Sequence, residues 1–268
     1  MNIPEITIKE TKEYTVINIG DSMYHVANHW FWKEYAQGWE PQTFNFYKKY
    51  CISGSHVLDI GAWIGPTALY ALHSGAKRVI MVEPNPITCD LLEKSFNFDF
   101  QLRYKCRLLP YCVSDKNETV DFGMPDGIMK PSSASSMRGT GSTVYSITIN
   151  DLINEIDKKQ TSLIKIDIEG AEQYIIDDLY MLSDINAPIW LSLHPPFIDD
   201  DTQLLQSLYS LYDKFYIFDS DIQKLDNSKL INMITSIEKY PSWGTSFGNF
   251  FEIAVMPKKY FTEKGVRK

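Results

Sequence analysis

The residues best suited to chemistry lie at the ends of two predicted strands in the second half of the chain. Asp167 ends one strand, Glu169 and Glu172 follow it, and His194 ends the next strand. Neighbouring parallel strands bring their carboxyl ends to the same crevice, where open α/β sheets bind their ligands. This pattern predicts that His194 acts as a general base, with an ordinary pKa of ~6.5, and that Asp167 orients either His194 or one end of a bound cofactor.

The same residues support other interpretations. Asp167, Glu169 and His194 could together hold Mg²⁺ beside a substrate oxygen, but this ligand set is not diagnostic, and the prediction is that no metal is bound. Glu172 could serve only to complement a helix N-terminus. His194 precedes two prolines and could serve only to brace a turn.

A glycine-rich turn earlier in the chain indicates a nucleoside cofactor. A buried strand runs past Asp59 into Gly61, which allows a tight turn, and Gly65 allows the following helix to start close to the strand. Glu83 ends the next predicted strand, 24 residues after Asp59, and is placed to accept both hydrogens of a ribose diol. The turn and the acid together predict a nucleoside site far better than the turn alone.

The charge of this region favours S-adenosylmethionine over a dinucleotide. Carboxylates near the turn attract the sulfonium and ammonium groups of that cofactor and would repel a pyrophosphate. Asp59 could instead bond only the N–H groups of its own turn. An NAD-dependent oxidoreductase would need a phosphate-binding helix start and a Tyr-x-x-x-Lys pair, and neither is evident in the sequence. A nucleoside-binding domain without catalytic activity stays an alternative.

The elements that position these residues alternate between strand and helix from residue 56 onward. This alternation is typical of a mostly parallel sheet covered by helices on both faces, and seven strands are predicted. The third strand is expected over 107–113, a helix is expected to start near Gly170, and the segment 131–142 reads as a flexible Ser-rich loop. The aromatic-rich residues 1–50 are predicted to form a cap on one main domain, 51–260.

Six parts of the sequence resemble the FkbM-type methyltransferase family. They are Trp-Glu-Pro at 39–41, Asp-Ile-Gly-Ala-Trp-Ile-Gly at 59–65, Val-Glu-Pro-Asn-Pro at 82–86, Val-Ser-Asp at 113–115, Leu-Ile-Lys-Ile-Asp-Ile-Glu-Gly-Ala-Glu at 163–172 and the predicted strand that ends in His194. The resemblance implies a Rossmann-like class I methyltransferase fold, S-adenosylmethionine as donor and O-methylation of a hydroxyl on a small molecule or sugar. It implies these donor-binding residues: Glu40, Asp59, Gly61, Ala62, Trp63, Gly65, Glu83, Val113 and Ser114.

The sequence departs from the family in two places. Trp63 stands where Asn is usual, and its side chain is expected either to fold over the methionine end of the cofactor or to weaken binding. Ser192 stands where Glu is often found, which puts an acid–base pair at that strand in doubt. In addition, His-Pro-Pro-Phe at 194–197 is similar to an element of amino-methyltransferases. N-methylation of an exocyclic amine is therefore the alternative reaction.

Composition limits the partners and the compartment. The formal net charge of −8, without any basic run, argues against binding to a nucleic acid backbone. The four cysteines show neither zinc-finger nor C-x-x-C spacing, which is typical of free thiols in a reducing compartment. With no apolar run long enough to cross a membrane and no signal peptide visible, we expect a cytoplasmic enzyme that acts on a small molecule or carbohydrate.

Overall fold

The first fifty residues form a small antiparallel sheet followed by two helices. The computed structural model describes residues 4–124, 137, 140–236 and 250–264. The elements of this first part are β1 (Ile6–Glu10), β2 (Tyr14–Ile19), β3 (Ser22–Ala27), α1 (Trp32–Ala36) and α2 (Pro41–Tyr50). Strand β2 alternates between half-buried and buried side chains, as expected for a strand with one face on the core. Helix α2 begins with a proline, whose fixed φ suits the first turn.

The rest of the chain alternates between strands and helices. Its elements are β4 (His56–Ile60), α3 (Pro66–His73), β5 (Arg78–Val82), α4 (Pro86–Phe98), α5 (Phe100–Lys105), β6 (Cys106–Leu109), β7 (Cys112–Val113), β8 (Thr119–Met124), β9 (Thr140–Ile147), α6 (Ile149–Asn154), β10 (Thr161–Ile166), α7 (Glu172–Ile175), a 3-10 helix (Ile176–Asp184), β11 (Ile189–Leu193), a 3-10 turn (Pro195–Phe197), α8 (Asp201–Leu211), β12 (Phe215–Asp219), α9 (Asn227–Thr235), β13 (Phe251–Pro257) and α10 (Lys258–Lys264).

Seven of these strands form the central sheet, in the order β12-β13-β11-β10-β4-β5-β6. The five strands from β11 to β6 are parallel, and β13 runs antiparallel to both of its neighbours. Strands β4, β10 and β11 are buried along their whole length, because helices cover both faces of a parallel sheet. The prediction of a mostly parallel, seven-stranded α/β fold is confirmed.

The two faces of the sheet contribute to two separate hydrophobic clusters. Successive side chains of a strand point to opposite faces, so Leu58 of β4 lies in one cluster and Val57 in the other. Helices α6, α8 and α9 cover the first face. The second face carries α3 and α4 together with the cap, whose Tyr35 and Tyr47 are fully buried there.

Some predicted boundaries were wrong. The third strand does not run over 107–113: Pro110 lacks an N–H group, the central sheet ends at β6, and β7 pairs instead with β9. The helix expected near Gly170 starts later, at α7, because Gly170 has a φ of 96° and lies outside the helical region. Most of the Ser-rich segment 131–142 lies outside the described residues, and its last three residues begin β9.

Among the described residues, no helix has the length and apolar character needed to cross a membrane. All four cysteines are free thiols.

Candidate active site

A cavity of about 450 Å³ opens at the carboxyl ends of β4, β5, β10 and β11. This is the position where open α/β sheets bind their ligands, and the volume is in the range of small-molecule sites. Residues from the cap and from the central sheet line it together. The predicted site residues that face this cavity are Glu40, Gly61, Ala62, Trp63, Glu83, Val113, Asp167, Glu169 and His194.

Three predicted donor-binding residues do not line the cavity. Asp59 is fully buried and accepts a hydrogen bond of 2.6 Å from the Thr67 hydroxyl. The Ser114 hydroxyl is also buried and donates to the Asp115 carboxylate at 3.1 Å. Gly65 precedes α3 with a φ of 90°, and a Cβ there would meet neighbouring apolar side chains within 3.1–3.3 Å. Their donor-binding role therefore stays a prediction.

Glu83 is held by the backbone around it. Its carboxylate accepts hydrogen bonds from the N–H groups of Trp63, at 2.8 Å, and Asn85, at 2.7 Å. Burial raises the pKa of Glu83 to about 7, although both of these hydrogen bonds lower it. The residue therefore titrates in the physiological range, and its remaining lone pairs face the cavity at the position expected for a ribose-binding acid.

Gly61 is required by the protein backbone itself. Its φ is 81°, and a Cβ built on it would lie 1.6 Å from the carbonyl oxygen of Asp167. Strands β4 and β10 are neighbours, so the turn after β4 passes directly against the end of β10. The sequence suggested only that this glycine makes a tight turn near a ligand. The structure shows that the missing side chain also lets the segment that carries Asp167 pass close to the turn after β4.

Trp63 packs against the cap and leaves the cavity open. It has a left-handed φ of 46°, and its ring makes edge contacts with Phe31, at 4.5 Å between centroids, and His29, at 5.4 Å. The ring forms part of the cavity wall. Its backbone N–H, and not its ring, bonds to Glu83. Trp30 lies beside this aromatic group and is 67% exposed.

His194 is surrounded by three carboxylates. Its Nδ1 lies 3.0 Å from Glu172 Oε1, and its Nε2 lies 3.6 Å from Asp167 Oδ1 and 3.8 Å from Glu169 Oε2. The sequence placed Asp167 and His194 in one crevice, and the structure brings them together. Glu172, for which a purely helical role was open, hydrogen bonds to the imidazole and to the N–H groups of Ile168 and Gly170. This contact could not be predicted from sequence spacing.

These neighbours change the acid–base properties of the cluster. Burial alone would lower the pKa of His194, but Glu172, Glu169 and Asp167 outweigh it and raise this pKa to about 10. The expected value near ~6.5 is therefore wrong for this environment. With these carboxylates around it, the imidazole is protonated at neutral pH, and it can accept a proton only after it has lost its own. Burial also raises the pKa of Glu169 to about 7.

The sequence analysis overlooked Lys165, which lies beneath the cavity. It is only 2% exposed, and its Nζ lies 2.7 Å from Asp167 Oδ2. Glu40, on the other side of this lysine, accepts a hydrogen bond from Thr43, which also bonds to Glu252. Burial raises the pKa of Glu40 to about 8, although Lys165 lowers it. A lysine inside an otherwise apolar strand was the signal that could have revealed this network.

Comparison with known families identifies the domain that carries these residues. Residues 59–185 match the model of the methyltransferase FkbM domain. This part of the chain is similar to the methyltransferase FkbM domain. The match includes the glycine-rich turn, Glu83 and Asp167, and the predicted resemblance to this family is confirmed. His194 lies nine residues beyond the matched part of the FkbM domain.

Several solved structures are similar to this chain. The methyltransferase FkbM from Methylobacillus flagellatus KT is 15% identical, with 84% of this chain and 53% of that one covered and a TM-score of 0.44. This chain therefore spans about half the length of that protein. The precorrin-6y C5,15-methyltransferase from Geobacter metallireducens GS-15 is 12% identical, with 80% and 86% covered and a TM-score of 0.40. A proposed methyltransferase from Streptococcus mutans in complex with SAH is 9% identical, with 81% and 96% covered and a TM-score of 0.45. No curated protein matches the sequence.

Proposed function

We propose that this chain is an S-adenosylmethionine-dependent methyltransferase that methylates a hydroxyl group of a small molecule or carbohydrate. The observation that carries this proposal is the composition of one cavity. A single space holds the ribose-binding acid expected of the donor site, Glu83, and the cluster of Asp167, Glu169 and His194. Donor and acceptor groups could therefore meet there, within a part of the chain that is similar to the methyltransferase FkbM domain.

The charges of the cavity suit a cationic donor. Acidic residues outnumber basic ones along its walls: Glu34, Glu40, Glu83, Asp167 and Glu169 stand against Lys165 and His194. Such an environment stabilises the sulfonium and ammonium groups of S-adenosylmethionine and disfavours the pyrophosphate of NAD. Glu83 would hold the ribose, and the turn from Gly61 to Trp63 would lie against the donor.

The reaction is an in-line displacement. The acceptor oxygen attacks the methyl carbon, the carbon–sulfur bond breaks with its electron pair moving to sulfur, and S-adenosylhomocysteine leaves as a neutral thioether. Holding the three atoms in line supplies much of the acceleration. The hydroxyl proton must also leave, and we assign its transfer to His194, in its unprotonated form, with Glu172 holding its Nδ1 and Asp167 beside its Nε2. A well-placed base contributes about 10²- to 10⁴-fold.

Part of the cavity wall is aromatic, and we assign it to the acceptor. Trp30, Phe31 and Trp39 of the cap line the cavity together with Phe197 and Phe250. Flat apolar walls suit an uncharged ring, such as a sugar or an aromatic ring carrying a hydroxyl. This is the basis for proposing that residues 1–50 act as a cap that selects the acceptor for the domain over 51–260.

N-methylation is less well supported by the backbone around the two prolines. In the amine-methylating arrangement, carbonyl groups beside the prolines accept the hydrogens of the amine. Here the His194 carbonyl accepts the Phe197 N–H at 2.9 Å, and the Pro195 carbonyl accepts the Ile198 N–H at 3.2 Å. Each carbonyl thus has one of its two acceptor positions in use within the chain, which favours O-methylation over N-methylation.

The proposal is tested by methyl transfer from isotopically labelled S-adenosylmethionine to a panel of hydroxyl and amine acceptors, read by mass spectrometry. A labelled methyl group on a hydroxyl compound is the expected product. The variants His194→Gln and Asp167→Asn are expected to lower the rate by about 100-fold or more. His25→Gln is the matched control, because His25 also pairs with a carboxylate, that of Asp99 at 3.4 Å, but lies outside the cavity. Transfer at an unchanged rate in both cavity variants would refute the assigned roles.

A further inference from the structure

We propose that Asp167, Glu169 and His194 form a binding site for one divalent transition-metal ion, with Mn²⁺ as the best match to the donor set. One ligand atom from each residue lies within 4.8 Å of the other two. Metal–ligand bonds of about 2.0–2.2 Å place adjacent ligand atoms about 3.0–3.5 Å apart. The measured separations of 3.6 and 3.8 Å from His194 Nε2 need to close by only a few tenths of an ångström.

The hydrogen bond on the far side of the imidazole is an independent observation that points to a ligand. Glu172 is fully buried, and its carboxylate accepts the N–H groups of Ile168, at 3.1 Å, and Gly170, at 2.8 Å. Its Oε1 also lies 3.0 Å from His194 Nδ1, which must then be the donor. Histidines that bind metals typically donate their other ring nitrogen to a carboxylate in this way.

This arrangement leaves Nε2 as the nitrogen that faces the cluster. His194 is 6% exposed, and its Nε2 makes no hydrogen bond to any described residue, only the two longer contacts with carboxylate oxygens. A buried nitrogen aimed between two carboxylates, and held by a third carboxylate behind it, has the geometry of a metal ligand.

The two carboxylates are also disposed for this role. Lys165 holds Asp167 Oδ2 at 2.7 Å, so Oδ1 is the oxygen left facing His194. Glu169 makes no hydrogen bond to the described residues and lines the cavity. With the imidazole neutral, as a metal ligand must be, Asp167, Glu169 and Glu172 carry three formal negative charges and Lys165 carries one positive charge. A divalent ion would neutralise the difference of two.

The donor set distinguishes between metals. Mg²⁺ and Ca²⁺ prefer ligands that are all oxygen, whereas an imidazole nitrogen beside carboxylates suits Mn²⁺ and the later first-row ions. The Mg²⁺ ion considered from the sequence is therefore the weaker candidate. Three protein ligands also leave open positions for a substrate oxygen.

The consequence for catalysis rests on the proposed function. A divalent ion beside the acceptor would lower the pKa of its hydroxyl, and the proton would leave to water. His194 would then act as a ligand, and no base would be needed on the imidazole. If no metal binds, methyl transfer with His194 as base remains, so the two proposals can fail separately.

The test is a titration of the full-length protein with Mn²⁺ alone, followed by the loss of the electron paramagnetic resonance signal of free Mn²⁺. One equivalent is expected to bind to the wild type. His194→Gln and Glu169→Gln remove a ligand. Glu172→Gln keeps all three ligands but removes the charge of the carboxylate that holds the imidazole and two backbone N–H groups. Each is expected to weaken binding at least about tenfold. Mg²⁺ is expected to compete poorly, and His25→Gln to bind Mn²⁺ like the wild type.

Glu169→Gln keeps the test decisive even if a buried variant fails to fold, because Glu169 makes no hydrogen bond to the part of the chain that the structure describes. Circular dichroism checks that this variant is folded. Wild-type protein that leaves the free Mn²⁺ signal unchanged at millimolar protein and metal would overturn the proposal. Equal binding by the wild type and Glu169→Gln would do the same. Binding of S-adenosylhomocysteine, measured on the same samples, reports separately on the donor site.

Discussion

The affinity of the donor site is expected to follow the ionisation of Glu83. The carboxylate accepts the Trp63 and Asn85 N–H groups, and burial raises its pKa to about 7. Only the ionised form offers acceptors to both hydroxyls of a ribose. Affinity should therefore be complete above this pKa and should fall as the pH drops through it.

The size of the effect follows from that pKa. With a value of about 7, about one tenth of Glu83 is ionised at pH 6 and about nine tenths at pH 8. The dissociation constant should therefore rise about tenfold from pH 8 to pH 6, equivalent to about 1.4 kcal/mol. The thiols of Cys112, which is buried, and Cys89, which is partly buried, lie near Glu83, but burial raises the pKa of each, so both stay neutral over this interval. Glu40 and Glu169 line the same cavity and have pKa values of about 8 and about 7, so the Glu83→Gln variant is needed to assign the change to Glu83.

Titration calorimetry with 5′-methylthioadenosine isolates this contact, because the ligand keeps the ribose and lacks the charged amino acid end. Glu83→Gln is expected to weaken binding at pH 8 by about 1.5–3 kcal/mol, the value of a hydrogen bond to a charged group, and to abolish the pH dependence. Glu93→Gln, on the exposed side of α4, is the control and should behave like the wild type. A pH dependence that persists in Glu83→Gln would refute the reasoning, since another group would then be titrating.

Three further predictions concern stability and the cavity wall. Gly61→Ala and Gly54→Ala place a Cβ at the same φ of 81°, but only the first meets the Asp167 carbonyl. In urea denaturation, Gly54→Ala should lower the free energy of unfolding by about 1–2 kcal/mol, and Gly61→Ala should lower it by at least about 2 kcal/mol more. Equal decreases in the two variants would contradict the proposed clash. Lys165→Met should lower the free energy of unfolding by about 3–5 kcal/mol, because the carboxylate of Asp167 loses its positively charged partner. A decrease below about 1 kcal/mol would show that this carboxylate is not charged in the folded protein. Trp63→Asn should keep the affinity for S-adenosylhomocysteine within about threefold of the wild type. The reason is that the Trp63 ring packs on the cap, whereas its backbone N–H makes the contact to Glu83. A change in affinity above tenfold would show that the ring contacts the ligand.

The central sheet could be predicted because its strands carry a strong local signal. β4, β10 and β11 are short, mainly apolar segments between turn residues, and all of their residues are buried, as expected for strands covered on both faces. The split between β6 and β7 could not be predicted, since β7 pairs with β9, more than 30 residues later in the chain. Pairing at such a distance depends on the whole fold and leaves no local pattern.

The sequence predicts which strand ends carry the site residues, but it does not predict which side chains contact one another. Asp167, Glu83 and His194 line one cavity because each ends, or directly follows, a parallel strand of the same sheet. The high pKa of His194 depends on three carboxylates, one of them Glu172 on the next helix, and spacing does not encode those distances. Likewise, the sequence cannot show that Gly61 is a glycine because a carbonyl group lies against it.

The most direct test of the account is titration calorimetry of the purified protein with S-adenosylhomocysteine and, in parallel, with NAD. The acidic cavity and its ribose-binding glutamate predict one site with a micromolar dissociation constant for S-adenosylhomocysteine and no measurable heat with NAD. Binding of NAD in preference to S-adenosylhomocysteine, or of neither ligand at millimolar concentration, would contradict the assignment of this cavity as a methyl-donor site.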